Sequence, residues 1–331
     1  MKVRFRGVRG SLPSPLLPEQ LEARARAMLE LFVSGGKFNA ADINPFLKAL
    51  RPEQLGGFGG NTPCIEVESQ SGATRLFVDA GSGIRMAGYD LMSGPCGKGK
   101  GEVHILFTHF HWDHLIGLPF FTPIFIPGNN IHVYAVQPDL PEVFKTVFKK
   151  PYFPLNLEQL GAKIHYHQLE PRKSARIGDI GFTPYQLDHP DPCWGYKFEA
   201  DGCKFSYCVD TEATRVTRSE MGADLPLYQE LDLLVFDAQY TLMEAIEKVN
   251  WGHAAAAIGI DIALREKVKK VLFMHHDPAS SDAKIAAARE QTERYLETQI
   301  KGAKRSGAEV HPLEWDYARE GLVVDLKKPG S

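Results

Sequence analysis

The sequence predicts an α/β fold of two mixed β-sheets whose outer faces are covered by helices. Three observations predict it. Short strand-like apolar runs fill the first two thirds of the chain, and glycine clusters (Gly56-Gly57, Gly59-Gly60, Gly81, Gly83, Gly97 to Gly101) punctuate them as turns. Helical patterns then mix with strands toward the C-terminus, the order expected when helices flank sheets. With 331 residues, 44% hydrophobic and 24% charged, the chain can bury one large core, so 1–331 is read as a single domain.

Lys2-Val3-Arg4-Phe5-Arg6-Gly7-Val8 alternates as a half-buried strand does, and Arg9 to Pro13 turns the chain. Residues 16–34 form an amphipathic helix with Leu21, Met28, Leu29 and Phe32 on one side, and a second is expected over 44–50 with Pro45 at its first position. Helices wedged between strands mark 12–55 as a helical insertion. Strands follow at 64–67, 75–78, 103–107 and 131–135, with a helix over 142–149 ended by Pro151. More strands are expected at 163–166, 182–186, 195–198, 204–208 and 233–236. Then come a helix over 254–265, a strand at 271–274, a helix over 281–301 and a closing strand at 321–324.

Composition narrows the function. A net charge of -3 disfavours a protein that grips long nucleic acid through its phosphates. The opening MKVRFRGVRG has no apolar stretch behind it, so it is not read as a secretory signal. No run approaches the ~18 apolar residues that cross a bilayer; the longest, Leu115 to Ile126, is broken by Pro119, Thr122 and Pro123. A cytoplasmic protein that avoids the membrane is expected. Cys64, Cys96, Cys193, Cys203 and Cys208 lack CxxC spacing and are read as reduced packing thiols.

The chemistry concentrates after the strand at 103–107. His109, His111, Asp113 and His114 fall within six residues, in Thr108-His109-Phe110-His111-Trp112-Asp113-His114. Imidazole and carboxylate suit Zn²⁺, and also Mn²⁺ or Fe²⁺. Four such residues on one turn do not all reach one ion easily, so two metal ions sharing the loop are expected. Further candidates each end a hydrophobic run: His189 after 182–186, Asp210 after Phe205 to Val209, and His275 after 271–274. His165 and His167 are read as solvent-facing, and His104, His132 and His311 as histidines without companions.

The segment THFHWDH matches the HxHxDH signature of the metallo-β-lactamase superfamily. GVRGS at 7–11, GGNTPCIEV at 59–67, FVDAGSGI at 77–84, GLPFFTP at 117–123, FDAQYT at 236–241, WGHAAA at 251–256 and FMHHDP at 273–278 resemble its branch of ribonuclease Z-like and class II cyclic-nucleotide phosphodiesterase-like hydrolases. The resemblance covers nearly the whole chain except about 12–55. It implies an αββα sandwich, and His109, His111 and His189 as ligands of one metal, Asp113, His114 and His275 of a second, with Asp210 bridging. His275 is preferred to the adjacent His276. The catalytic set it implies is His253, Asp113 and Asp237, with His253 as a non-ligand acid that Asp237 orients. Asn61 and Asp79 resemble residues that brace the metal loop.

The activity implied is hydrolysis of a small phosphodiester by water activated between the metals, with a cyclic nucleotide favoured and zinc the favoured ion. A lactonase, thioesterase, cyclic phosphate hydrolase or tRNA 3′-processing endonuclease are the alternatives; the last lacks a convincing glycine- and proline-rich arm here. A non-catalytic metal-binding module fits worst, because every ligand is present. A homodimer is a family expectation. The 12–55 insertion departs from the family: it could cap the pocket with Phe32, Phe38 and Phe46, extend a dimer interface, or cover the sheet. Tyr152 and Phe153 resemble a family YFP motif, suited to core packing or to stacking a base.

Overall fold

A computed structural model describes residues 1–327, apart from the side chains of Pro52 and Glu53; the last four positions of the expected domain lie outside the described residues. The first half contains β1 (Lys2–Gly7), α1 (Pro18–Ser34), α2 (Ala40–Ala49), α3 (Pro52–Leu55), β2 (Cys64–Glu68), β3 (Arg75–Val78), α4 (Ile84–Met92), β4 (Glu102–Leu106), α5 (Trp112–Leu115), β5 (Asn130–Ala135), α6 (Leu140–Val147) and β6 (Lys163–Gln168). The second contains β7 (Ala175–Ile177), β8 (Ile180–Gln186), β9 (Trp194–Ala200), β10 (Cys203–Cys208), α7 (Arg218–Met221), β11 (Leu233–Asp237), α8 (Leu242–Glu247), α9 (Ala256–Glu266), β12 (Lys270–Met274), α10 (Asp282–Arg305), β13 (Glu314–Tyr317) and β14 (Val323–Asp325).

The strands form two seven-stranded sheets, ordered β14-β1-β2-β3-β4-β5-β6 and β13-β12-β11-β10-β9-β8-β7. Each is antiparallel at one side and parallel at the other: β3 to β6 run parallel in the first, β10 to β13 in the second. Parallel strands are buried on both faces, and β11 (Leu-Leu-Val-Phe-Asp) is buried at every position. The β1 strand, nearer an edge, keeps the alternation read from its sequence. One apolar layer, with Val3, Phe5, Phe198, Phe205 and Met274, joins the two sheets. A second packs α9 and α10 on the second sheet, and a third packs α4 and α6 on the first. This is the expected two-sheet sandwich with helices outside.

Several elements depart from the sequence reading. The helix expected at 44–50 begins at Ala40, because Asn39 takes the extended position before it and leaves Pro45 inside the helix. Helix α4 was not expected; within it Gly88 lies so close to Phe121 and Pro123 that a Cβ would sit 3.0 Å from the Phe121 ring. The final strand starts at Val323, because Gly321 adopts a left-handed turn (φ 79°). Short edge strands β7 and β13 carried no signal of their own. Among the described residues no helix is long and apolar enough to cross a membrane, and all five cysteines are buried free thiols.

The segment between β1 and β2 contrasts with the sandwich. Helices α1 and α2 contain no buried residue. Phe32 and Phe46 meet edge to face at 5.1 Å while Phe38 is 72% exposed, so these rings contact each other or solvent. The anchor is ionic: Arg24 pairs with Asp282, which also holds Arg9 and the Phe58 N–H.

Candidate metal centre

Six strands deliver the site residues from their carboxyl ends, the edge at which α/β sheets place ligands. Strand β3 leads to Asp79, β4 to the 108–114 loop, β8 to His189, β10 to Asp210, β11 to Asp237 and β12 to His275. Asp79, Asp210 and His275 turn the chain in the left-handed region, with φ of 62°, 63° and 68°. Such residues cost roughly 1–3 kcal/mol each and persist where the surroundings hold them in place, typically at functional sites. Here the turn lets a side chain leave the strand and point across the sandwich edge.

Three groups of donors converge, each with ligand atoms within 4.8 Å of one another: His109, His111 and His189; Asp113, His114, Asp210 and His275; and Asp210, Asp237, His253 and His275. All seven residues expected as ligands lie in the first two. Asp210, expected to bridge them, belongs to the second and third; on His109 and His189 it acts through its charge.

Hydrogen bonds separate the donors that await a ligand from those already satisfied. His109 Nδ1 faces Thr108 Oγ1 at 3.1 Å, and its buried Nε2 has no partner. His111 Nε2 is held by Asp191 at 2.9 Å and His189 Nδ1 by the Asp191 backbone, which leaves one nitrogen free on each ring. His114 Nδ1 meets Asp79 Oδ2 at 2.9 Å; its Nε2 lies 2.9 Å from Asp210 Oδ2 without hydrogen-bond geometry, and both atoms are buried and unpartnered. Buried polar atoms seldom go unpaired, so orphans within the first and second donor groups fit divalent cations. By contrast, Asp237 is saturated: Oδ1 accepts the Gln239 and Ala254 N–H groups, and Oδ2 accepts the Asp210 N–H and faces His253 Nδ1 at 3.1 Å. Asp237 therefore holds its neighbours in place, and His253 keeps Nε2 for something else.

The charges agree with this division. Burial, with His114 beside it, pushes His109 well below the usual histidine range, and burial lowers His189. Neutral imidazoles with open lone pairs are what a metal requires. Burial opposes charge on Asp113, His114 and Asp210, yet Asp113 and Asp79 hold His114 well above its usual range, and His114 and His275 hold Asp113 and Asp210 well below theirs. Burial likewise opposes charge on His253, but Asp237, then Asp210 and Asp113, carry it up to about 9. Buried carboxylates at Asp79, Asp113, Asp210 and Asp237 need counter-charge, which divalent cations supply.

Of the two adjacent histidines, His275 reaches Asp113 and Asp210 at 3.2 Å, while His276 turns away and donates to the Ala318 carbonyl at 2.8 Å. Asp79 lies under the loop and accepts the Thr108 N–H at 2.9 Å. Asn61 sits further out: its carbonyl takes the Val8 and Arg9 N–H groups, and its side chain bonds Glu320 and Ser82. It braces the N-terminal turn, whose Ser11 N–H donates to Asp113 at 2.8 Å. Sequence reading missed Asp191 and Ser11. Asp191, a carboxylate two positions after His189, carried a usable signal; Ser11 acts through its backbone and carried none.

Four histidines read as isolated or solvent-facing form one cluster. His104, His132 and His165 pair in register across β4, β5 and β6 and stack at 4.9 and 4.6 Å, with His167 bonded to His132 at 3.0 Å. Tyr152 is 70% exposed, whereas Phe153 packs against Phe120, Phe125 and Phe148.

Imidazole and carboxylate donors gathered at the carboxyl edge of a two-sheet sandwich are the mark of a metal-dependent hydrolase. A family model described as the Beta-lactamase superfamily domain matches residues 74–276, and the chain belongs to this family. It is similar to ribonuclease Z of Clostridium perfringens, 24% identical over 251 residues that span 57% of this chain and 77% of the relative. Its fold is similar to that of the metallo-beta-lactamase fold protein YhfI from Bacillus subtilis, with a TM-score of 0.60, 16% identity and 98% of each chain covered. A diphosphatase from the PhnP family gives a TM-score of 0.58 at 18% identity, again over 98% of each chain. At these identities the two structures establish the fold alone.

Proposed function

We propose that the protein is a phosphodiesterase with two divalent ions, zinc favoured, acting on a small phosphodiester such as a cyclic nucleotide. The observation that carries this reading is the His253–Asp237 pair. It places a histidine with a free nitrogen beside the ligand groups, as the departure of an alkoxide demands. His109, His111 and His189 would hold one ion; Asp113, His114, Asp210 and His275 the other. Bound there, such ions supply Lewis acidity and a water acidified toward neutrality.

The chain's own residues do the rest. Asp237 fixes the His253 ring by its Nδ1, so that Nε2 can hand a proton to the leaving oxygen. Asp79 and Asp191 keep His114 and His111 oriented. Similarity to ribonuclease Z supports phosphodiester chemistry, and the net charge of -3 favours a small substrate over a long nucleic acid.

The test is a panel of cyclic nucleotides, bis(p-nitrophenyl) phosphate, pre-tRNA and a lactone, each assayed with Zn²⁺ and Mn²⁺, beside metal content by mass spectrometry. Turnover of the small phosphodiesters is expected. Turnover of the lactone with failure on every phosphodiester would overturn the reading.

A further inference from the structure

The segment between α8 and His253 is built unlike the rest of the site's surroundings. Helix α8 buries none of its side chains, and Met243, Ile246, Val249 and Trp251 are each at least 60% exposed. The segment is nevertheless held in place. Thr241 caps α8 through Glu244, and the Gly252 N–H donates to Glu212 at 2.9 Å. Gly252 itself (φ +86°) lies against His189, so closely that a Cβ would stand 2.3 Å from the His189 ring. The backbone next to Trp251 is thereby held against His189, and the Trp251 side chain is exposed.

A cation is fastened beside it. Lys248 Nζ stands 4.3 Å over the Tyr240 ring and 5.9 Å from the Trp251 ring centre. Tyr240 in turn meets the His253 ring edge to face at 5.5 Å. The ammonium therefore sits one aromatic ring away from the proposed acid. Its nearest carboxylate, Asp277, is at 4.0 Å, the outer limit of an ion pair, so donor capacity remains.

We infer that Trp251 and Lys248 form a nucleobase subsite: Trp251 stacks the base of a cyclic nucleotide and Lys248 selects guanine. This rests on the phosphodiesterase reading above. Every base presents a π-face to an exposed indole, so stacking gives affinity without choice. An ammonium has three donors and no acceptor. It suits the guanine edge, where O6 and N7 are both acceptors, and suits adenine less, because an amino donor stands beside N7.

The experiment compares kcat/KM for guanosine and adenosine 3′,5′-cyclic monophosphate in the zinc-loaded protein, Lys248→Met, Lys248→Arg and Trp251→Ala. The wild type is expected to favour guanine by about tenfold, on the scale of one good base contact. Lys248→Met should bring the ratio near one through KM, Lys248→Arg should restore it, and Trp251→Ala should raise KM for both nucleotides by about tenfold. A wild type indifferent to the base, or a ratio unmoved in Lys248→Met, overturns the inference. Should neither nucleotide be hydrolysed, the choice of a cyclic nucleotide as substrate fails, and calorimetric binding of guanosine and adenosine monophosphate to the same four proteins still decides the subsite. A loss in Lys248→Met that follows ligand charge instead of base also overturns it.

Discussion

The molecule holds two clusters of histidine, and they differ in the carboxylates around them. At the carboxyl edge of the sheets, His109, His111, His114, His189, His253 and His275 stand at strand or helix ends among buried carboxylates. In the middle of β4, β5 and β6, His104, His132, His165 and His167 stack on one another, with Tyr134 beside them and Glu102 at 4.0 Å as the nearest acid. Buried carboxylates hold His114 and His253 charged, while burial still lowers His109 and His189; in the stack, with only Glu102 to oppose it, burial pushes His104 down to about 4 and lowers His132 and His167. Among the described residues, no convergent donor group draws on the stack. Histidine density alone thus says little; the anionic complement and the strand-end position make one cluster a candidate metal centre.

The largest effect that would break this contrast is at Asp210. Asp210→Ala removes the carboxylate that the second and third donor groups share, and it is expected to lower metal affinity by more than about a hundredfold and to abolish turnover. Metal content by mass spectrometry after gel filtration reads it; full metal retention would sink Asp210 as a ligand. His253→Ala comes next. Because its Nδ1 belongs to Asp237, the variant is expected to keep its metal while kcat falls by about 10²–10⁴, the usual contribution of a general acid. Metal loss in that variant would return His253 to the ligand set.

The strand ends were legible because each site residue terminates an apolar run, a pattern that survives without knowing the fold. His189, Asp210 and His275 were placed at an edge that way, although the left-handed turns at Asp210 and His275 could not be read. The stack was illegible for the complementary reason. His104, His132 and His165 lie in separate parallel strands, and only the register His104↔His132↔His165 makes them neighbours; sequence gives strand positions without register. Helix α4 (Ile84–Met92) had no counterpart in the sequence reading, which marked only the turn glycines Gly81 and Gly83 before it. The helix at 16–34 was found by its apolar side and that at 44–50 by Pro45, yet neither contains a buried residue, so the sequence marked each helix without its neighbour.

The smallest expected effect sharpens the comparison from the side of the stack. His104, His132 and His167 have folded pKa values below the ordinary one of about 6.5, so between the two the unfolded chain binds more protons than the native one. The stability contributed by the neutral stack is therefore complete above about pH 6.5 and is lost as pH falls toward the His104 value of about 4. His104→Gln removes one of these groups and keeps a polar side chain beside Tyr134. Urea unfolding at pH 7.5, 5.5 and 4.5 should show the variant losing stability less steeply, by under roughly 1 kcal/mol per pH unit, because the stack is only half-buried and solvent screens it. Both proteins share the same metal centre, so the difference between their slopes isolates the stack. Parallel slopes would mean that the stacked imidazoles titrate alike in the folded and unfolded chain, and the contrast with the carboxylate-ringed histidines would then rest on geometry alone.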